Sequence, residues 1–215
     1  MKIIKYAQSC VLIELKNKRI LIDPGNYCFE KMKSEDFKHI NVLLITHRHA
    51  DHCFIDAIKI INENNKPVIL TNKETESILK ENGINSEILG INETKKIDEI
   101  SIKAIKAKHG LPRDKIIPEC IGFLINNKIY HPGDTVNFDD KPYAEIVFVP
   151  IAGPEINIET AFQFVNDIKC KIAIPIHYDS PYFPADPKDF LNKMIDSNIK
   201  VRILGFGEDF VYEET

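Results

Sequence analysis

Three histidines and an aspartate fall within the eight-residue stretch THRHADHC, residues 46–53. This stretch follows the apolar run NVLLIT, which is typical of a strand that is covered on both faces. Imidazole nitrogens and carboxylate oxygens are ligands for Zn²⁺ and related divalent ions. We therefore expect a metal site rather than a solvated polar loop, with these candidate ligands: His47, His49, Asp51 and His52.

More ligand-type side chains follow other predicted strands. They are Asp23 after RILI, His109 after IKAIKAK, Asp134 after KIYHPG and His177 after KIAIPI. Strands that each deliver such a residue at the same end converge on one pocket and support it rigidly. Six or seven donors exceed what one tetrahedral ion takes, so the set indicates two ions that share a carboxylate and leave positions open for water. Two neighbouring ions can lower the pKa of a bridging water and stabilise a developing oxyanion.

The elements that must position these residues form a regular order. An antiparallel meander opens the chain, and helices are predicted at 53–64, 72–83, 158–169 and 187–197, between buried strands. Asn126-Asn127 predicts a hairpin turn. Each half of the chain gives strands first and then strand and helix in turn, without a break in composition. This order predicts one α/β domain over residues 1–215, a four-layer αββα sandwich of two mixed sheets with helices outside.

The ligand pattern resembles that of the metallo-β-lactamase superfamily over nearly the whole chain. The motif His47-x-His49-x-Asp51-His52 is followed by a histidine after 57 residues (109−52), an aspartate after 25 (134−109) and a histidine after 43 (177−134). SCVLIELKNKRILIDPG is similar to the family's opening strands, HPGDT to its GDT turn, and VFVPIAG with AIPIHY to the stretch before its last histidine. Within the superfamily the chain is most similar to ascorbate-6-phosphate lactonase-like hydrolases.

The resemblance implies a role for each ligand. One ion would be bound by His47, His49 and His109, and the second by Asp51, His52 and His177, while Asp134 would bridge both. Asp23 would orient a ligand without touching metal. Asp51 and Asp134 are the expected catalytic residues: the nucleophile would be a bridging hydroxide, which Asp51 helps to orient or deprotonate. Zn²⁺ is the favoured ion, with Mn²⁺ or Fe²⁺ as alternatives.

The implied function is hydrolysis of an ester-like bond in a small molecule, a lactone or a phosphodiester. The alternatives are a non-enzymatic metal-binding or nucleotide-sensing module, a di-iron redox protein on the same fold, and a tRNA-processing nuclease. Redox relatives place Glu where this chain has His49, and the nucleases add a substrate-binding arm. Two stretches depart from the lactonase-like pattern: Ala7-Gln8-Ser9 replaces Gly-His-Ser, and Ala152-Gly153-Pro154 replaces Gly-Gly after the proline.

Composition limits the partners and the compartment. The net charge of −4 offers no basic field for nucleic acid or an anionic membrane. No apolar run reaches membrane-spanning length, and the start lacks a signal peptide's core. Five scattered cysteines without a CxxC predict a reducing cytoplasm rather than a disulfide framework. A homo-oligomer is compatible with the sequence.

His131 and Tyr178 adjoin ligands, and segments 25–37 and 179–187 are either substrate-shaping loops or ordinary surface.

Overall fold

The computed structural model describes residues 1–29, 31, 37–112, 114–139 and 141–213. Contacts between residues divide the chain into two compact units, Met1–Gly90 with Leu204–Thr215 and Ile91–Ile203. Each unit contains one seven-stranded mixed sheet, called sheet A in the first unit and sheet B in the second.

Sheet A is antiparallel at one side and parallel at the other. Its strand order is β14-β1-β2-β3-β4-β5-β6, antiparallel from β14 to β3 and parallel from β3 to β6. The helices α1 (Asn26–Phe29), α2 (Ile55–Asn65) and α3 (Lys73–Glu81) belong to the same unit. The strands are β1 Lys2–Lys5, β2 Val11–Leu15, β3 Lys18–Ile22, β4 Val42–Ile45, β5 Val68–Thr71, β6 Glu87–Ile88 and β14 Asp209–Val211.

Local sequence explains most of unit 1. Lys16 and Asn17 have positive φ values of 48° and 60°, as a two-residue hairpin between β2 and β3 requires. All four residues of β4 are buried, as expected for a strand inside the parallel part of a sheet. The buried residues of α2 are Ala57, Ile58 and Ile61, which recur at helical spacing and face the core.

Sheet B has the order β13-β12-β11-β10-β9-β8-β7, antiparallel from β7 to β10 and parallel from β10 to β13. Helices α4 (Ile158–Ile168) and α5 (Pro187–Lys193) lie in this unit, and buried residues of both join its apolar core. The strands are β7 Thr94–Ile97, β8 Ile100–Ala107, β9 Cys120–Ile125, β10 Ile129–His131, β11 Ile146–Pro150, β12 Ile172–Ile176 and β13 Lys200–Val201.

The two sheets share one pairing pattern: three antiparallel pairs followed by three parallel pairs. In this pattern β3 corresponds to β10 and β4 to β11. The outermost antiparallel strand differs in origin, because β7 directly precedes β8 in the chain, whereas β14 comes from the far end of the sequence.

Most predicted elements are confirmed, with changes at their ends. The predicted hairpin at Asn126-Asn127 has positive φ values of 50° and 52°. The helix predicted at 53–64 begins at Ile55, since Phe54 is an extended N-cap, and the one predicted at 187–197 ends at Lys193. The short elements α1 and β6 were not predicted, because neither is long enough to show a period.

Two features bear on the class of protein. Among the described residues, no helix is long and apolar enough to cross a membrane. None of the five cysteines forms a disulfide, and all are buried. The prediction of one domain over residues 1–215 stays a prediction. Within the predicted 25–37 loop, residues 30 and 32–36 lie outside the described part of the chain.

Candidate metal centre

The loop after β4 is anchored by a carboxylate at the end of the neighbouring parallel strand. Asp23 directly follows β3 and adopts a positive φ of 48°. Its Oδ1 accepts from the Thr46 N–H at 2.8 Å and its Oδ2 from the Thr46 hydroxyl at 2.7 Å. Because β3 and β4 pair in parallel register, Ile22 opposite Leu44, the two strand ends bring these residues together.

The same carboxylate orients a candidate ligand. Asp23 Oδ2 lies 2.7 Å from His52 Nδ1, and both side chains are fully buried. A carboxylate only accepts, so this Nδ1 carries the proton and Nε2 presents its lone pair. The Thr46 hydroxyl is 3.1 Å from His47 Nδ1, and His47 Nε2 is 3.1 Å from His49 Nδ1. The expected orienting role of Asp23 therefore has a defined geometry.

Gly25 is the point at which two backbone segments come closest. A Cβ on Gly25 would lie 1.8 Å from the carbonyl oxygen of Asp51, so no other residue fits without a shift. The neighbouring Asn26 N–H donates to the Ala50 carbonyl at 2.9 Å. Asp51 Oδ2 lies 3.7 Å from His52 Nε2. The missing side chain of Gly25 thus leaves room for the backbone of Asp51.

The start of α3 supports the loop from another direction. Asn72 caps α3 by accepting from the Thr75 N–H at 2.8 Å, and its Nδ2 donates to the Thr46 carbonyl at 2.9 Å. Arg48 Nε contacts Glu74 Oε1 at 2.9 Å. Sequence reasoning missed the roles of Thr46 and Asn72. The asparagine before a predicted helix was a signal for the cap, but not for its second bond to a residue 26 positions earlier.

In unit 2, three further candidate ligands follow strand ends. His109 follows β8, Asp134 follows β10 and His177 follows β12, and all three are buried. Asp134 Oδ2 lies 3.0 Å from His109 Nε2 and 3.9 Å from His177 Nε2. The Oδ2 atom of Asp134 therefore faces the Nε2 atoms of both imidazoles.

Backbone carbonyls hold the other nitrogen of each imidazole. His109 Nδ1 donates to the Gly110 carbonyl at 2.5 Å, and His177 Nδ1 donates to the Ala152 carbonyl at 2.7 Å. A carbonyl has no proton to give, so each Nδ1 carries the proton. His177 has a positive φ of 58°, a strained conformation that directs its ring toward this carbonyl.

The donor set fits a divalent ion. In His52, His109 and His177 the Nδ1 proton is held by an oxygen acceptor, which leaves Nε2 to coordinate, as in most metal-binding histidines. The chain thus carries histidines and aspartates that are candidate ligands for a metal ion.

Other residues that the sequence singled out have structural surroundings. Gln8 lies buried in the turn between β1 and β2, with a positive φ of 55°. Tyr178 packs against the core of unit 2. Cys53 joins the core of unit 1, and its burial raises the pKa of the thiol to about 12. In the 179–187 segment Ser180 is buried and Tyr182 is exposed.

Comparisons with known proteins identify the class. A family model described as "Beta-lactamase superfamily domain" matches residues 2–177, ending on a candidate ligand. The UPF0173 metal-dependent hydrolase of Thermoplasma volcanium is 36% identical over 205 residues, covering 89% of this chain and 90% of the relative. The UPF0173 metal-dependent hydrolase of Methanocaldococcus jannaschii is 30% identical and covers 94% and 96%.

Solved structures agree. The metallo hydrolase Igni18 from Ignicoccus hospitalis has a TM-score of 0.84 at 25% identity, with 100% of both chains covered. CmlA, a diiron β-hydroxylase from Streptomyces venezuelae, has a TM-score of 0.76 at 15% identity, with 97% of this chain and 53% of that chain covered, and shows the fold alone. The predicted fold class of two mixed sheets with helices is confirmed.

The fold and the cluster define a metal-dependent hydrolase. The chain belongs to the metallo-β-lactamase superfamily and, within it, to the UPF0173 metal-dependent hydrolases.

Proposed function

We propose that the candidate ligands of the two units together hold two divalent ions, within one domain spanning residues 1–215. In this proposal one group of ligands, His47, His49, His109 and Asp134, binds one ion, and a second group, Asp51, His52 and His177, binds the other. The aspartate of the first group would bridge to the second ion.

The observation that carries this proposal is the contact between the Nδ1 atom of each of three imidazoles and an oxygen acceptor. In unit 2 the Nε2 atoms of His109 and His177 face the same Asp134 oxygen, and both Nδ1 protons are held by carbonyls. In unit 1 the buried Asp23 fixes His52 in the same way. Two ions so held would activate a water molecule and polarise the oxygen of an ester-like bond.

The aspartates have distinct tasks in this proposal. Asp134 is buried and its Oδ2 faces two imidazoles, so it would bridge the ions, whereas Asp51 is less buried and would accept the proton of the attacking water. Asp23 keeps the Nδ1 proton on His52 throughout, because the carboxylate and the imidazole are both excluded from solvent.

We propose a small molecule with a lactone or phosphodiester bond as the substrate, and zinc as the ion. The first choice rests on the similarity of the AIPIHY stretch and the small size to ascorbate-6-phosphate lactonase-like hydrolases, and the second on the nitrogen-rich donor set. Manganese and iron are the alternatives. The cytoplasm is the proposed compartment, because the five cysteines form no disulfide.

The test is reconstitution with one metal at a time. The metal-free protein is loaded with Zn²⁺, Mn²⁺ or Fe²⁺, the bound metal is measured by mass spectrometry, and hydrolysis is screened on chromogenic lactones and phosphodiesters. We expect about two equivalents of metal, and activity only in the loaded protein. Asp134→Asn is expected to lower activity by more than about 100-fold, since even partners that only orient ligands cost 10–100-fold.

Asp139→Asn is the matched control. Asp139 is an acid of the same unit that pairs with Lys106 and Lys108, whose ammonium groups lower the pKa of its carboxyl. Its loss is expected to leave metal binding unchanged. Less than one equivalent of metal in the parent protein, or hydrolysis unaffected by a chelator, would contradict the proposal. Oxygen-dependent oxidation with iron, without hydrolysis, would indicate redox chemistry on this fold instead.

A further inference from the structure

His131 is a buried histidine outside the proposed ligand set. It is the last residue of β10, it is fully buried, and its ring lies 5.2 Å from that of Phe148. Its Nδ1 accepts a hydrogen bond from the Gly133 N–H at 3.2 Å. A nitrogen that accepts carries no proton, so the role of this ring is opposite to that of His109 and His177, whose Nδ1 atoms donate.

The hydrogen bond joins the side chain of His131 to the N–H group of the second residue after it. An Asx turn has the same pattern, with an Asn or Asp side chain as the acceptor. Pro132 lies between and has a fixed φ, and Gly133 adopts a positive φ of 75°. The turn His131-Pro132-Gly133 leads directly to Asp134. The imidazole therefore restrains the backbone immediately before the carboxylate.

The other sheet supplies a parallel case. In the shared pairing pattern β3 corresponds to β10, and Asp23-Pro24-Gly25 directly follows β3, so a side-chain acceptor again precedes Pro-Gly near the end of the strand. Asp23 is likewise fully buried, and it holds Thr46 and His52. In each unit a buried acceptor thus precedes Pro-Gly and organises a segment that carries candidate ligands.

We infer that His131 is a positioning residue that fixes the orientation of Asp134 by accepting the Gly133 N–H at Nδ1. The inference rests on the proposed function, in which Asp134 is the bridging ligand. It gives His131 no contact with substrate, in keeping with its complete burial.

Two substitutions separate the hydrogen bond from the packing of the ring. His131→Asn keeps an acceptor two residues before the Gly133 N–H and loses the ring. His131→Phe keeps a ring beside Phe148 and loses the acceptor. Zinc affinity is measured by competition with a chromogenic chelator, and Co²⁺ absorption reports the coordination geometry.

We expect His131→Phe to weaken zinc binding 10–100-fold and to change the Co²⁺ spectrum, as loss of an orienting partner does. His131→Asn is expected to stay within about 3-fold of the parent protein. If the phenylalanine variant binds zinc like the parent, or if the asparagine variant is the weaker of the two, the inference is wrong, and ring packing is the role of His131.

The parent protein gives a test that requires no variant to fold. Long-range ¹H–¹⁵N spectra of its histidine rings, with zinc bound at pH 7, are expected to show His131 neutral, with the proton on Nε2. A proton on Nδ1 would overturn the inference. Its failure is distinguishable from failure of the proposed function, because Asp134→Asn would still lose zinc in the first case and keep it in the second.

Discussion

Single residues set the geometry of the candidate site, and most of those that do so are not ligands. The two carboxylate oxygens of Asp23 bind Thr46 and His52 at the ends of the loop that carries His47 to His52. Gly25 has no side chain, which lets the backbone of the same loop come close. Such supporting residues decide how precisely a metal site is preorganised.

Gly25→Ala tests the closest of these contacts. The new Cβ would overlap the Asp51 carbonyl oxygen, so the loop must move, at a cost of about 1–3 kcal/mol in the free energy of unfolding. We expect zinc content to fall as Asp51 and His52 are displaced. Zinc per chain and urea unfolding measure the two effects.

Gly83→Ala is the control for this substitution. Gly83 has a positive φ of 75°, and a Cβ added there would meet no atom within 4 Å, so only backbone strain of about 1–2 kcal/mol is added. The zinc content of this variant is expected to equal that of the parent protein. Full zinc content in Gly25→Ala would show that the close approach does not hold the site.

At the scale of elements, the candidate ligands follow the ends of strands, and residues at the start of a helix support the loop that carries some of them. Thr71, the last residue of β5, donates to the carbonyl of Ile45, the last residue of β4, and Asn72 donates to that of Thr46, which follows β4. The Asn72 side chain therefore both caps α3 and supports the loop that carries His47 to His52, which are candidate ligands.

Asn72→Asp separates the two bonds of that side chain. Aspartate still accepts from the Thr75 N–H and caps α3, but it cannot donate to the Thr46 carbonyl. We expect zinc affinity to fall about 10-fold while the helix is retained. Chelator competition and circular dichroism provide the two readouts.

The same substitution in the other unit serves as its control. Asn157 caps α4 by accepting from the Glu159 and Thr160 N–H groups, and this cap is solvent-exposed. Asn157→Asp is expected to leave zinc affinity unchanged. Equal effects of the two variants would show that the bond to Thr46 is irrelevant to metal binding.

The sequence was informative wherever a local pattern marked an element. Apolar runs such as NVLLIT, ended by a polar residue, located the strand ends, and hence every predicted ligand. The pairing of β14 with β1 has no local signal, because it depends on residues some 200 positions apart. The Asn72–Thr46 bond was inaccessible for the same reason: its partners meet only when β4 and β5 align.

On the scale of the whole molecule, burial of ionisable groups couples stability to pH. Desolvation raises the pKa of the Cys170 thiol to about 12, from its ordinary value of 9.0. Between these values the unfolded chain loses the thiol proton and the folded chain keeps it. This contribution to stability is therefore complete below about pH 9 and is lost as the pH rises toward 12.

Cys170→Ala removes this titration. Above pH 9 we expect the free energy of unfolding to fall more steeply in the parent protein than in Cys170→Ala. The difference in slope is up to about 1.4 kcal/mol per pH unit, from this one thiol. Urea unfolding at pH 7, 9 and 10.5 measures both curves. The variant starts lower at pH 7 because it loses buried volume. Parallel curves across the range would contradict the assigned pKa.

The late position of β14 has a consequence for synthesis. During translation β1 is made before β14, its partner at the outer edge of sheet A, which emerges only after all of unit 2. Until then one side of β1 has unpaired backbone groups, which can pair with another nascent chain. A ribosome paused just before the codons of β14 would therefore hold a nascent protein with its candidate ligands already made and its first sheet still open to aggregation.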